Sequence, residues 1–132
     1  MKEFNRGVIA EFRANAGKLS GPMAGRTVLL LTTLGVRSGQ PRTTVVGYGR
    51  HGDDYVVIAS NNGAASHPAW YLNLLANPTA TLEVGPDKFQ VLATTAAREE
   101  RDELAAAVPY LERQQKLTSR EIPLVILRRV TR

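Results

Sequence analysis

The sequence predicts a mainly β domain, a small and mostly antiparallel barrel with a few peripheral helices. Three observations lead to this fold class: six stretches have the composition of strands, short turns separate most of them, and no crossover helix links the first strands. With 132 residues, 43% of them hydrophobic, the chain is long enough to bury a core without a metal or a disulfide. We expect one domain over residues 1–132, with the barrel in residues 26–130.

Residues 1–20 are expected to form an N-terminal helix and loop. Phe4, Val8, Ile9 and Phe12 recur at helical spacing, with basic residues among them. Two roles remain open for this helix. It could pack against its own domain, or it could rest on a membrane surface.

The predicted strands alternate with turns and two helices. We expect strands over residues 28–33, 43–48, 55–59, 79–84, 89–95 and 123–130, and helices over 68–76 and 99–108. Residues 49–54 have the composition of a hairpin loop, and Gly85-Pro86-Asp87 would turn a second hairpin. Pro68 suits a first helical turn that Ser66 or His67 could cap.

Positive charge is concentrated in the first part of the chain. Residues 1–52 hold eight Lys and Arg against two Glu, whereas residues 53–132 hold nine basic and ten acidic residues. No acidic residue lies between Phe12 and Gly52. This part is either a solvated basic face or a docking surface for an anionic ligand, a membrane surface or nucleic acid. Nucleic acid is not expected as a partner, because aromatic residues are only 6% of the chain.

The composition excludes several kinds of chemistry. The chain has no cysteine and only two histidines, His51 and His67, which argues against thiol catalysis and against a metal site; we expect no metal. No Ser-His-Asp order or paired-carboxylate motif is present. No apolar stretch is as long as a membrane span, and no apolar run typical of a signal peptide is present. We therefore expect a cytoplasmic protein, free or associated with a membrane surface through its first helix.

The stretch between the first two strands is the most informative. Residues 35–43 read GVRSGQPRT, which is longer and more cationic than a hairpin loop requires. Glycines allow backbone N–H groups to converge on an anion, Ser38 and Thr43 add hydroxyl donors, and Arg37 and Arg42 add guanidinium donors. This composition predicts a phosphate site, although the Gly-Lys-Ser/Thr of a Walker loop is absent.

Two further stretches each allow two interpretations. Small and polar residues over 59–63 follow the third strand, where a planar ligand could approach the backbone, or a simple Asn-Gly turn could form. Trp70 lies on the short helix and belongs either to the core or to a cofactor pocket. An anion loop without catalytic groups indicates a protein whose chemistry is supplied by a cofactor.

Together these stretches resemble the deazaflavin (coenzyme F420)-dependent nitroreductase family of actinobacteria. The matching segments are LLTTLGVRSGQPR over residues 30–42, VIASNNG over 57–63, HPAWYLNL over 67–74, ANP over 76–78 and REIPLV over 120–125. The resemblance implies a split β-barrel of the flavin-reductase type, related to FMN-binding proteins. It also implies an oxidoreductase that passes a hydride from reduced F420 to a quinone, an enone or lactone, or a nitroaromatic acceptor.

The resemblance also implies roles for particular residues. The phosphate region of F420 would be held by Arg37, Ser38, Gly39, Gln40, Arg42 and Thr43. Ala59 and Ser60 would lie along the deazaflavin ring, while Asn61, Gly63, Pro68, Trp70 and Asn73 would shape the pocket. Candidates for the acceptor side are Tyr48, Ser60 and Tyr110. Proteins with this barrel often form homodimers, so a homodimer is one expected state.

The chain departs from the family pattern at two places. Asn61 stands where many members have Lys, and Val108, Leu111 and Gln114 stand where the nitroimidazole-reducing member has tyrosines, with Tyr110 nearby. The resemblance therefore does not extend to nitroimidazole reduction. Two alternatives stay open: the same barrel could use FMN as its cofactor, or it could hold a deazaflavin, haem or lipid without turnover.

Overall fold

The computed structural model describes residues 2–130 of the chain, apart from the side chains of residues 2–5, Pro22 and Asn62. Phe4, predicted on the apolar face of the first helix, lies outside the described side chains. The strands are β1 (Val28–Leu34), β2 (Pro41–Gly47), β3 (Gly49–His51), β4 (Asp54–Ile58), β5 (Thr79–Val84), β6 (Asp87–Thr95) and β7 (Leu124–Arg129). The helices are α1 (Lys2–Ala14), α2 (Ala69–Ala76), α3 (Arg101–Ala105) and α4 (Leu111–Gln115).

The seven strands form one antiparallel sheet that curls into a barrel. Their order is β2-β1-β5-β6-β7-β4-β3, so β2 and β3 lie at opposite edges. Only Tyr48 separates β2 from β3 in sequence, and β2 lies against β4. One residue cannot span an open sheet, so the two edges must approach each other. The sheet is therefore a split β-barrel, as the resemblance implied.

Apolar side chains fill two layers, one inside the barrel and one between the sheet and the C-terminal helices. Val57 belongs to the inner layer, whereas its neighbours Val56 and Ile58 belong to the outer one. This alternation follows from the two-residue period of a strand. Because both faces of β4 are covered, its sequence reads as a continuous apolar run. The outer layer also holds Val108 and Leu111, which fixes the position of α4.

Helix α1 packs against the barrel, which is one of the two roles considered for it. Val8 and Phe12 are buried. Arg13 donates two hydrogen bonds to the buried carboxylate of Glu83, at 2.9 and 2.8 Å. Contact of this helix with a membrane finds no support in the part of the chain that the structure describes. No helix within residues 2–130 is long and apolar enough to cross a bilayer.

Three local expectations were wrong. Gly49–His51 is a strand paired with β4, so residues 49–54 are not merely a loop, and the barrel has seven strands instead of six. A Cβ at Gly49 would lie 1.8 Å from the Ala107 carbonyl oxygen, so only glycine fits there. The second difference is that the helix expected over 99–108 reaches only to Ala105, and α4 follows it. Finally, Pro68 immediately precedes α2 and no side chain caps that helix.

Candidate active site

A cavity of about 1290 Å³ opens between the β1–β2 hairpin, the end of β4, the start of α2 and α4. Among the residues that the structure describes, no Asp, Glu or His lines it, whereas four arginines do. These arginines are Arg26, Arg37, Arg42 and Arg113. A cavity lined by one sign of charge attracts ligands of the opposite sign. The site is therefore built for an anion.

The β1–β2 loop forms one end of the cavity and is shaped by its own hydrogen bonds. Gly35 donates from its N–H to the Gln40 carbonyl at 2.9 Å, and Gly39 donates back to the Gly35 carbonyl at 2.9 Å. Gly39 has a φ of +67°, a conformation that favours glycine. These bonds leave Arg37, Ser38 and Arg42 on the cavity wall. Guanidinium and hydroxyl donors at one loop suit a phosphate group.

Asn73, on α2, holds this loop in place. Its side-chain oxygen accepts the N–H of Val36 at 3.1 Å, and its amide nitrogen donates to the Thr33 hydroxyl at 3.0 Å. Asn73 and Thr33 are both buried. Buried polar groups stay paired because leaving one unpaired costs free energy. Helix α2 thus sets where the cationic loop begins.

Eight of the thirteen predicted cofactor residues line the cavity, namely Arg37, Ser38, Arg42, Ser60, Asn61, Pro68, Trp70 and Asn73. The other five do not line it. Gly39 and Gln40 take part in the loop's own bonds, and the Thr43 hydroxyl pairs with that of Thr32 at 2.7 Å. Ala59 is fully buried, and Gly63 packs against Leu117.

Arg120 supports the segment that follows β4, a role the sequence did not reveal. Its guanidinium donates to the carbonyl oxygens of Ala59 at 3.2 Å, Ser60 at 2.8 Å and Ala64 at 3.2 Å. It also lies 2.8 Å from Nδ1 of His67. Five donors in a planar fork explain how one side chain gathers several acceptors. Arg120 begins the REIPLV segment, which carried part of the family resemblance. Nothing in that segment identified Arg120 as the residue that holds this loop.

Trp70 belongs both to the core and to the cavity wall, the two locations that the sequence left open. Its half-buried ring packs against the inner core and also lines the cavity. The ring is edge-on to Tyr71, with the ring centroids 6.2 Å apart. The buried Pro68 lines the cavity beside it. Ser60 and Asn61 complete this wall, which is small and polar next to one large aromatic surface.

The predicted acceptor-side residues Tyr48, Ser60 and Tyr110 all line the cavity. The hydroxyl of Tyr110 and the side-chain oxygen of Gln114 are buried, and neither has a hydrogen-bond partner within residues 2–130. Burial raises the pKa of Tyr110 to about 12, so its hydroxyl stays protonated and can donate. Buried polar atoms without partners are rare in proteins overall. Where they occur, they are often found at ligand-binding sites.

Val108 and Leu111 face away from this cavity. Both are buried in the outer core, whereas Tyr110 and Gln114, one helical turn apart, line the cavity. Arg26, Arg113 and Met23 also line it and were not predicted as site residues. Met23 and Arg26 precede β1, whereas Arg113 lies on α4, so no single local motif marks all three.

No group of three or more His, Asp or Glu side chains within the described residues could hold a metal ion. The cavity fits a long anionic organic cofactor, because it has cationic donors at a glycine-containing loop, an aromatic wall and unpartnered polar atoms. Fold and site together define a class, the split-barrel proteins with a cavity for an anionic organic cofactor that would supply the chemistry.

Comparison with known proteins narrows this class. The family model described as F420H(2)-dependent quinone reductase matches residues 4–129. An F420H(2)-dependent quinone reductase of Mycobacterium tuberculosis is 37% identical over 129 residues, covering 91% of this chain and 86% of that protein. The chain belongs to the F420H(2)-dependent quinone reductase family. It is an oxidoreductase, and its cofactor is coenzyme F420.

Solved structures agree with the fold. One described as an F420-H2 Dependent Reductase is 32% identical, with a TM-score of 0.68, covering 77% of this chain and 94% of that chain. Another, described as a domain-swapped dimer, is also 32% identical, with a TM-score of 0.69, covering 77% of this chain and 80% of that chain. The haem storage protein HutZ of Vibrio cholerae is 20% identical, with a TM-score of 0.60, covering 94% of this chain and 89% of that chain. That last likeness shows the shared fold.

Proposed function

We propose that this protein transfers a hydride from reduced F420 to a quinone. The observation that carries the proposal is the cavity itself: it has a cationic loop at one end, the tyrosines Tyr48 and Tyr110 at the other, and no described Asp, Glu or His in its lining. The family supports the quinone as acceptor, since its mycobacterial relative bears that name.

The residues that would hold F420 lie at the loop end. We propose that Arg37, Ser38 and Arg42 bind its phosphate directly, while Gly39, Gln40 and Thr43 act through the shape of the loop. The ring would lie along Ser60, with the fully buried Ala59 beneath it. Asn61, Gly63, Pro68, Trp70 and Asn73 would shape the pocket around it. When bound, reduced F420 supplies a hydride, which carries two electrons.

The protein's own contribution is orientation and electrostatics. As a quinone takes up a hydride, negative charge develops on one of its carbonyl oxygens. The Tyr110 hydroxyl has no partner among the described residues and can donate a hydrogen bond to that oxygen. Its raised pKa keeps the hydroxyl protonated, so it acts as a hydrogen-bond donor, and the proton that completes the hydroquinone comes from the solvent. Tyr48 and Ser60 are the other acceptor-side candidates.

The test is a pair of titrations followed by turnover. We expect oxidised F420 to bind and to quench Trp70 fluorescence, and FMN to bind much more weakly. Reduced F420 should then be oxidised by a short-chain naphthoquinone under anaerobic conditions. An enone and a nitroaromatic are tested in parallel, because the family resemblance extends to both.

Each alternative predicts a different result. Tighter binding of FMN than of F420 would leave the fold unaffected but would replace F420 with FMN as the cofactor. Binding of F420 without oxidation by any acceptor would identify a carrier and overturn the proposal. Preferred oxidation by the enone or the nitroaromatic would keep the hydride chemistry and replace the quinone.

We also propose that residues 1–132 form one domain, that the protein acts in the cytoplasm, and that a homodimer is one of its states. The similar solved structure described as a domain-swapped dimer supports the homodimer. Sedimentation equilibrium tests the dimer, and limited proteolysis tests the single domain, for which one resistant fragment is expected.

A further inference from the structure

The cavity runs along the β1–β2 hairpin and is cationic at both ends. Leu34 pairs with Pro41 beside the loop, and Val28 pairs with Gly47 at the opposite end of the hairpin. Six residue steps of a strand separate these ends by about 20 Å. Arg26 lies just before the second end. It is therefore too far away to bind the same group as Arg37 and Arg42.

Helix α4 brings a second arginine to the end marked by Arg26. A Cβ at Gly47 would lie 3.5 Å from the Tyr110 hydroxyl, so Tyr110 is at this end of the hairpin. Arg113 follows Tyr110 by three residues, one helical turn, and lines the same cavity. We call Arg26, Arg113, Tyr110 and Gln114 the distal end.

The polar groups of the distal end lack partners. Arg26 and Arg113 are exposed, and neither forms an ion pair or a side-chain hydrogen bond within the described part of the chain. The neighbouring Glu112 lies 3.9 Å from Lys116 instead. The buried Tyr110 hydroxyl and Gln114 oxygen are also unpartnered, as noted above. Two cations without described partners at one end of a cavity form a receptor for an anion.

We propose that the distal end binds an anionic substituent of the acceptor, so that the preferred acceptors are quinones carrying a carboxylate or a similar anion. This inference rests on the proposed function and specifies its substrate class. The anionic substituent undergoes no bond change: the ring accepts the hydride, and a carbonyl oxygen gains a proton from water. The same anion chemistry could come from the anionic oligoglutamate tail of F420, and the experiment separates the two sources.

The experiment uses a neutral naphthoquinone and the same ring carrying a sulfonate. The ratio of kcat/KM for the two acceptors is measured in the wild type and in the double variant Arg26→Gln/Arg113→Gln. The matched control is Arg6→Gln/Arg98→Gln, which removes the same charge at two exposed arginines outside the cavity. Calorimetry of F420 and of the sulfonated quinone, each with the oxidised protein, supplies a readout that does not depend on turnover.

We expect the distal double variant to lower the sulfonate preference about tenfold or more, because two charge-assisted contacts are lost. Calorimetric affinity for the sulfonated quinone should fall in parallel. The control variant should keep both values within about twofold of the wild type, and F420 affinity should remain unchanged in all variants.

Other results overturn the inference in recognisable ways. An unchanged sulfonate preference and affinity would show that the distal end does not recognise the acceptor. Weaker F420 binding with an unchanged preference would assign the arginines to the cofactor's tail. If no quinone is reduced but sulfonate binding still requires Arg26 and Arg113, the anion site stands and the proposed reaction fails.

Discussion

The side-chain oxygen of Asn73 accepts the backbone N–H of Val36 at 3.1 Å, which ties helix α2 to the loop that carries Arg37. The two residues are 37 positions apart in sequence. The bond fixes a flexible, glycine-containing loop to a rigid helix. A cationic loop held before its ligand arrives loses less conformational entropy on binding.

Replacing Asn73 with Ala is expected to weaken F420 affinity about five- to tenfold. The change leaves the Val36 N–H and the Thr33 hydroxyl without their partner, which should also lower the free energy of unfolding by about 1–3 kcal/mol. Thr33→Val is the matched control, because it removes one partner of Asn73 and keeps the bond to Val36. That variant should lose stability but keep F420 affinity; equal losses of affinity in both variants would contradict the role assigned to the Val36 bond.

Replacing Arg37 and Arg42 together with Ala should weaken F420 affinity at least tenfold. Both side chains are exposed, Arg37 on the loop and Arg42 at the start of β2, so the free energy of unfolding should change by less than about 0.5 kcal/mol. The sharpest check is the deazaflavin fragment that lacks the phosphate and the tail. It should bind the wild type and the variant equally, since the lost contacts concern the phosphate. Unchanged affinity for intact F420 would disprove the phosphate assignment.

Tyr110→Phe is expected to lower kcat with a quinone about tenfold to a hundredfold, because a donor to the developing negative charge is lost. Its hydroxyl is buried and unpartnered, so its removal should leave stability unchanged or raise it by up to about 1 kcal/mol. Tyr71→Phe is the control: that hydroxyl bonds the Thr95 hydroxyl at 2.8 Å, so its loss should cost stability and spare turnover. Normal turnover in Tyr110→Phe together with reduced turnover in Tyr71→Phe would contradict the role assigned to the Tyr110 hydroxyl.

The ion pair between Glu83 and Arg13 should make the free energy of unfolding depend on pH, with less stabilisation from this pair in acid. The hydrogen bonds from Arg13 hold the pKa of Glu83 below its usual value. A carboxyl with a lowered pKa in the folded state stabilises the fold above its unfolded pKa, about 4.3, and this stabilisation is lost as pH falls through the folded pKa. Glu83→Gln should therefore cost about 1 kcal/mol at neutral pH, and the difference from the wild type should shrink below about pH 4.

Urea unfolding at neutral pH and at about pH 3.5 measures this difference. The control is Glu112→Gln, since Glu112 and Lys116 are both exposed and 3.9 Å apart. Exposed ion pairs of this kind contribute little to the free energy of unfolding. A pH-independent cost at Glu83 would show that its contribution is not electrostatic.

Arg120→Gln is expected to lower both stability and F420 affinity. It removes bonds to three carbonyl groups, one of them in the fully buried Ala59, and the expected cost is about 2–4 kcal/mol. Arg101→Gln is the control, because Arg101 donates a single bond to the Ile122 carbonyl at 2.8 Å, away from the cavity. It should reduce stability less and leave F420 affinity unchanged. Arg120→Lys should restore only part of the loss, since an ammonium cannot reproduce the planar fork.

Local sequence patterns were enough to predict most of the barrel. The strands β1, β4 and β5 were expected nearly where they lie, because their β-branched and apolar runs are bounded by turn residues. The short strand Gly49–His51 has no such run. It forms because β4 offers it an edge, and that edge depends on the pairing of β4 with β7, which are far apart in sequence.

The amino-acid sequence by itself determined the class of the fold, the cationic loop and the family, since each depends on residues close together in the chain. Only the tertiary structure decided that Asn73 fixes Val36, that Arg120 holds the segment after β4, and that Arg26 and Arg113 share one end of the cavity. These relationships join residues from separate elements. They exist because the sheet closes at Tyr48 and its hydrophobic layers pack, and no local periodicity or turn chemistry reports such distances.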